Sequence, residues 1–130
     1  TAFGVAAVHE IKIWADGRTY DLAKCHQSLY DFGYGQPDCK VYPYWEGTQP
    51  VQVGGLQAKA LVLSRPAKAL VLVTDFAEGG EVTLTVDTKR LGLKGSFEAK
   101  DAETGEPLPV EQGKVRFALR KHDFRMIVLE

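Results

Sequence analysis

Motifs that announce an active site are missing from this chain. It has no GxSxG, no Walker loop and no HExxH helix, and "FGYGQ" holds only two glycines and does not open a helix. Cysteine is scarce: two in 130 residues, Cys25 and Cys39, too few for a disulfide framework. As a single candidate bridge they would contribute about 3 kcal/mol by the loop-entropy relation. An excess of charge of one sign is missing too. Sixteen basic residues stand against 17 acidic ones, net −1, which removes any general electrostatic argument for nucleic acid or an anionic membrane as partner. No apolar run approaches the roughly 20 residues of a membrane span. The opening "TAFGVAAVHE" has neither the basic leader nor the small-residue cleavage site of a signal peptide.

What is present divides into two parts, residues 1–50 and 51–130. From residue 56 the pattern is β-structure. "LQAKALVLS" (56–64) and "KALVLVTDF" (68–76) are short runs apolar on both faces, separated by the turn signal Arg65-Pro66. "EVTLTVD" (81–87) alternates, with Val82, Leu84 and Val86 on one face, and "KVRFALR" (114–120) repeats the pattern with Val115, Phe117 and Leu119. "SFEAK" (96–100) and "DFRMIVLE" (123–130) add two more strands. Glycines in "EGG", "ETGE" and "EQGK" supply the positive φ that hairpin loops need. Asp87 is placed to cap a helical turn, "TKRLGL", whose Leu91 and Leu93 would plug one end of the core. The fold class is therefore mainly β, an antiparallel sandwich of about six to eight strands with one N-terminal helix and a long aromatic loop.

The first part has a different grammar. Residues 2–14 read as a strand, with Phe3, Val5, Ala7, His9, Ile11 and Ile13 on one face, although a helix from about Ala6 to Gly17 fits as well. "DLAKCHQSLYDFG" (21–33) is the best helix: Asp21 is a fair N-cap, Leu22, Cys25, Leu29 and Phe32 share a stripe, and Gly33 supplies the stop. The Gly- and Pro-rich stretch that follows contains "VYPYW". An extended chain there would put Tyr42 and Tyr44 on one face and Trp45 on the other, and Pro43 confines it to an edge strand or loop. Such a cluster either offers a flat platform to a sugar ring, with Trp14 as a fourth candidate, or pins the loop to the core.

Few polar neighbours suggest catalysis. His9 and Glu10 are adjacent, but the period-2 reading places His9 on an apolar face, as a hydrogen-bonded core histidine. Cys25 and His26 point about 100° apart on a helix, which suits neither a metal nor a nucleophile–base pair. Asp75, Glu78 and Glu81 surround a hairpin turn and could cluster as paired carboxylates, although turn carboxylates are usually solvated. No catalytic residue, cofactor or metal site is expected.

Residues 56–130 also resemble a known domain. The "LVLVTDF" strand, the alternating strand ending at Asp87, "LGL", "DAETGEPL" and the closing strand opened by "HDFR" come in the order of the C-terminal β-sandwich that follows the (β/α)8 barrel in glycoside hydrolases of the α-galactosidase and α-amylase type, in a bacterial branch. The resemblance implies a non-catalytic role, since the acid and nucleophile of such enzymes lie on the barrel. It implies a catalytic barrel or a carbohydrate as partner, and it is compatible with export. Residues 1–50 would then look like the last β/α unit of a barrel, with His9 and Glu10 an active-site remnant near the end of its strand. In isolation that segment would pack on the sandwich or mediate self-association through Phe3, Val5 and Ile11.

Overall fold

A computed structural model describes residues 2–10, 20–55 and 57–130. In chain order the elements are helix α1 (Ala2–Val8), helix α2 (Tyr20–Phe32), and strands β1 (Lys40–Tyr42), β2 (Val51–Gly54), β3 (Ala58–Arg65), β4 (Lys68–Asp75) and β5 (Gly80–Val86). A one-turn helix α3 (Thr88–Leu91) precedes β6 (Ala99–Asp101), β7 (Pro107–Leu108), β8 (Val110–Glu111), β9 (Lys114–Leu119) and β10 (Phe124–Leu129). A six-stranded sheet in the order β1-β3-β4-β10-β6-β7 faces a four-stranded sheet in the order β2-β5-β9-β8, and all strand pairs are antiparallel. The β-sandwich expected from the alternation is thus the observed fold. Ten strands among the described residues exceed the six to eight anticipated, because β1, β7 and β8 are two or three residues long and too short to show a period.

The long strands sort their side chains by size. Toward the four-stranded sheet point Ala60, Val62, Ala69, Val71, Val73, Ile127 and Leu129, which meet Val82, Leu84, Val115 and Phe117. Away from it point Leu61, Leu63, Leu70, Leu72 and Met126, and these are covered by Ala7, Val8, Leu29 and Phe32 of the two helices. The six-stranded sheet is therefore buried on both faces, as the two-sided apolar runs of β3 and β4 require. Each fully buried Leu contributes roughly 1.5–3 kcal/mol, so Leu61, Leu63, Leu70 and Leu72 beneath the helices add to stability on the same scale as Leu84 and Leu129 between the sheets.

Residues 2–8 are helix, not strand. Gly4 shows why α1 lies so near the sheet: a Cβ there would stand 2.8 Å from Phe124 Cβ and 2.9 Å from Thr74 Oγ1. The helix then ends with amide bonds from His9 to Ala6 and from Glu10 to Ala7, and Glu10 takes a left-handed φ of 57°. The barrel-type β/α unit anticipated for this region is absent from its described residues, since helix stands where its strand would be. Residues 11–19, which include Ile11, Ile13 and Trp14, lie outside the described residues, as do the side chains of Phe3, Asp21, Leu22 and Cys25.

Several local signals hold. Asp87 Oδ1 accepts the Arg90 amide at 3.0 Å and caps α3, and Gly92 ends it in the left-handed conformation. The glycines of the three hairpin loops have positive φ, including Gly79, Gly105 and Gly113. Pro43 follows β1 directly, and β1 is an edge strand, paired to β3 with Lys40 opposite Ser64 and Tyr42 opposite Val62. It lies before residue 51 in sequence yet belongs to the larger sheet.

Candidate functional site

Three parts of the chain meet around His9: the end of α1, the turn after β1 and the end of β4. His9 Nδ1 is 2.7 Å from Val5 O, and a carbonyl only accepts, so Nδ1 carries the proton and donates. In the neutral ring Nε2 is then an acceptor, and the Tyr44 hydroxyl, 2.7 Å away, donates to it. The imidazole lies parallel to the Trp45 indole (5.9 Å between centroids, 10° between planes). Tyr44 and Phe76 meet it edge-on, at 5.5 and 6.4 Å. Lys59 Nζ sits 5.3 Å from the Tyr44 ring centroid, close enough for a cation–π contact. His9 is half-buried and fully engaged. It is a histidine with partners, on a helix end instead of a strand face.

The "VYPYW" residues divide. Tyr42 packs on the core between the sheets, whereas Tyr44 packs on the cluster beneath the helices, so the two do not share a face. Trp45 is 47% exposed, beside Phe76 at 40% and Val5 at 42%. Trp45 and Phe76 are thus the exposed aromatics at this position. Phe76 carried no signal in the sequence beyond ending an apolar run. The turn itself is held by side chains that sequence reasoning missed. Gln49 Nε2 donates to Tyr42 O and Ala60 O at 2.7 and 2.8 Å, and an Arg90 guanidinium N–H donates to Thr48 O at 2.9 Å.

Glu10 faces a second tyrosine. The Tyr34 hydroxyl donates to Glu10 Oε1 at 3.0 Å, and burial, followed by this hydrogen bond and the Glu10 charge, pushes the phenol up to about 12. Between them opens a recess lined by Ala7, Glu10, His26, Leu29 and Tyr34, with about 20 Å³ for the centre of a water-sized occupant. That is room for one water and far too little for a sugar ring.

The remaining candidates are structural in their contacts. Asp75 is buried; its Oδ1 accepts the Ala77 amide at 3.1 Å and its Oδ2 the Gly79 and His122 amides at 3.0 Å each. Burial alone would raise its pKa, but the three amides outweigh that and hold the carboxyl below the usual range. Glu78 pairs with Lys121 at 2.8 Å, and Glu81 is exposed. Cys39 carries a free, half-buried thiol, and the side chain of Cys25, its candidate partner, lies outside the described residues. No group of three or more His, Cys, Asp or Glu that could hold a metal occurs among the described residues.

Neither a protein-family model nor a curated protein sequence matches the chain. Solved structures do. A noncanonic maltogenic α-amylase from Thermotoga neapolitana aligns with a TM-score of 0.51 over 92% of this chain and 28% of its own length, at 11% identity. A family 27 glycoside hydrolase, a β-L-arabinopyranosidase from Geobacillus stearothermophilus crystallised with arabinose, aligns with a TM-score of 0.47 over 57% of this chain and 17% of its own, at 17% identity. Structural neighbours are thus glycoside hydrolases, and the chain spans less than a third of either. At these identities the likeness is one of fold.

Proposed function

We propose that the chain is an accessory β-sandwich domain of a glycoside-hydrolase-like protein, one that packs against or stabilises a catalytic body and does no chemistry itself. The observation that carries this reading is that an equivalent fold makes up 28% of a larger amylase chain, and the six-stranded sheet, buried on both faces by the chain's own layers, fits a self-contained accessory unit. A free-standing sandwich commonly leaves its outer faces to water and alternates apolar with polar residues. Here β3, β4 and β10 give their outer face Leu and Met, a surface made to lie under helices. The occupation of the polar candidates supports the same reading: His9, Glu10, Asp75 and Glu78 each have a protein partner. The test is turnover of a panel of aryl glycosides and oligosaccharides by the 130-residue chain. No hydrolysis above background is expected; turnover that scales with protein and disappears in His9→Ala or Glu10→Gln would overturn the reading in favour of a small hydrolase.

A second reading, a carbohydrate-binding module, draws on one observation. Trp45 is about half exposed, with His9 stacked behind its ring and exposed Phe76 nearby. A sugar platform needs an exposed ring held rigid. On this reading the platform is Trp45 with Phe76, because Tyr42 and Tyr44 are committed to packing. A tryptophan fluorescence titration with soluble oligosaccharides decides it. A saturable shift lost in Trp45→Ala establishes the module, and a flat titration across the panel rejects it.

A further inference from the structure

At the edge of the sandwich, a groove of about 290 Å³ runs between β1, the β3–β4 turn and α3. That volume is at the small end of ligand sites. The Lys40 backbone pairs with Ser64 across β1 and β3, and the turn passes through Ala67 with a left-handed φ of 60°. The last residues of α3 come close to that turn, since a Cβ on Gly92 would stand 4.0 Å from Ala67 N.

The lining is strongly cationic although the chain as a whole carries a net charge of −1. Four basic residues, Lys40, Arg65, Lys89 and Arg90, line it together with one acid, Asp38. Asp38 and Arg65 cancel: Arg65 donates from Nε and Nη2 to Asp38 Oδ2 at 3.1 and 2.9 Å, which holds the carboxyl below its usual range. The nearest other acid in sequence, Asp87, spends Oδ1 on the Arg90 amide. Lys40, Lys89 and Arg90 have no carboxylate partner among the described residues, in contrast to Lys100, Lys121 and Arg125. Arg90 is also held in place, one N–H on Thr48 O and its guanidinium 5.8 Å over the Tyr42 ring, with most of its five donors left over. A concave site lined by one sign of charge focuses its field on a ligand of the other sign.

We infer that this groove binds a small multivalent oxyanion of the diphosphate kind, seated between the Lys40 and Lys89 ammonium groups and the free edge of the Arg90 guanidinium. Three positive charges match the charge of such an anion. An ammonium meets an oxyanion as a point charge, while a guanidinium edge can meet two oxygens at once. This is independent of the accessory-domain reading, which concerns the other side of the sheet.

The test is calorimetric titration of the 130-residue chain with inorganic pyrophosphate, and with tripolyphosphate, at low and at raised ionic strength. Saturable binding that weakens with salt is expected. The double variant Lys40→Ala/Lys89→Ala removes two exposed, unpaired side chains and so keeps the fold, which its thermal transition verifies. It should weaken binding about tenfold or more, the loss of two charge-assisted contacts. A control double variant at the opposite end of β4 and β5 from the groove, Arg120→Ala/Lys121→Ala beside Glu78 and Gly79, should leave affinity within about twofold, because screened charges at that end act weakly on the groove. The proposal is overturned if neither anion gives saturable binding. It is equally overturned if the groove variant binds as well as the parent, or if the control variant loses as much.

Discussion

Replacing Asp75 by Asn tests whether the buried carboxylate at the end of β4 is a structural clamp or a group left over for chemistry. The substitution is nearly isosteric, so packing is preserved and only hydrogen bonding changes. The best Asn orientation keeps its oxygen on the Gly79 and His122 amides and turns its NH₂ toward the Ala77 amide, donor against donor. One charge-assisted bond, about 1.5–3 kcal/mol, is lost outright, and two others weaken to neutral bonds, roughly 1 kcal/mol less apiece. The relief of burying an amide instead of a carboxylate opposes this by a smaller amount, since the amides already outweigh burial in setting the lowered pKa. A loss of about 2–3 kcal/mol is expected in urea unfolding at neutral pH, with the slope m unchanged. The acid limb adds a second reading. A carboxyl whose folded pKa is depressed contributes stability that is present above its unfolded value, about 3.9, and lost as pH falls through the lower folded value. The Asn variant should lack that portion of the acid sensitivity. Asp101 should retain its own: burial raises its pKa too, but the Thr104 and Glu103 amides and Arg125 bring it below normal. A loss under about 0.5 kcal/mol with an unchanged acid limb would refute the clamp, because no arrangement that keeps three amides satisfied by Asn exists.

Four further outcomes can be measured on the same chain. Leu61→Ala, beneath the helices, should cost about 2–5 kcal/mol, as should Leu84→Ala between the sheets; separate unfolding transitions by calorimetry would show instead that the helical layer is an independent unit. Tyr44→Phe should cost about 1 kcal/mol through the His9 bond, and Trp45→Ala, half exposed, no more than that; a loss of several kcal/mol in the Trp45 variant would make the indole a core residue. Burial pushes the Cys39 thiol up, with the Asp38 charge adding and Arg65 opposing, so iodoacetamide should modify Cys39 more slowly in the native chain than in urea; peptide mapping by mass spectrometry would show the reverse if the thiol were activated. Tyr34 should titrate at about 12 by phenolate absorbance, and Glu10→Gln should move it down. Because that folded pKa is raised, its contribution to stability is complete below about 10 and declines as pH climbs toward 12. A titration in which no tyrosine ionises above the ordinary range would contradict the Tyr34–Glu10 bond.

The sandwich was legible because its central strands carry redundant signals. Val82, Leu84 and Val86 alternate strictly, and the glycine of each hairpin falls where positive φ is needed. Even the double-sided burial of β3 and β4 was visible as uninterrupted apolar runs, although what covers the outer face was not. The miss at α1 has a definite cause. "AFGVAAV" contains small and branched residues without a polar punctuation, so both periods fit seven residues equally well. Burial of Ala7 and Val8 against Leu-rich strands, a tertiary term, selects helix. The site was legible only in its residue types. Nothing in the order of the chain brings Phe76 beside His9, or Lys40 and Lys89 to one groove. Those pairs are products of strand order, which spacing along the chain does not encode.

The aromatic turn shows how one proline redirects an inference from alternation. In a continuing strand, residues two apart share a face, and Tyr42 and Tyr44 would have stood side by side as a platform. Pro43 brings no N–H to a ladder, and β1 stops at Tyr42. The backbone turns there, so Tyr44 goes to the helix side of the sheet while Tyr42 stays on the sandwich side. The two rings then grip the edge of one sheet from opposite faces, and Gln49 closes the turn by bonding to both β1 and β3. A loop clamped in this way has little freedom left to adapt to a ligand. Trp45, stacked on His9 and open to water, is the ring of the three whose removal leaves that clamp in place. Loop packing thus falls to Tyr42 and Tyr44, and any sugar binding by this five-residue stretch would have to be carried by Trp45.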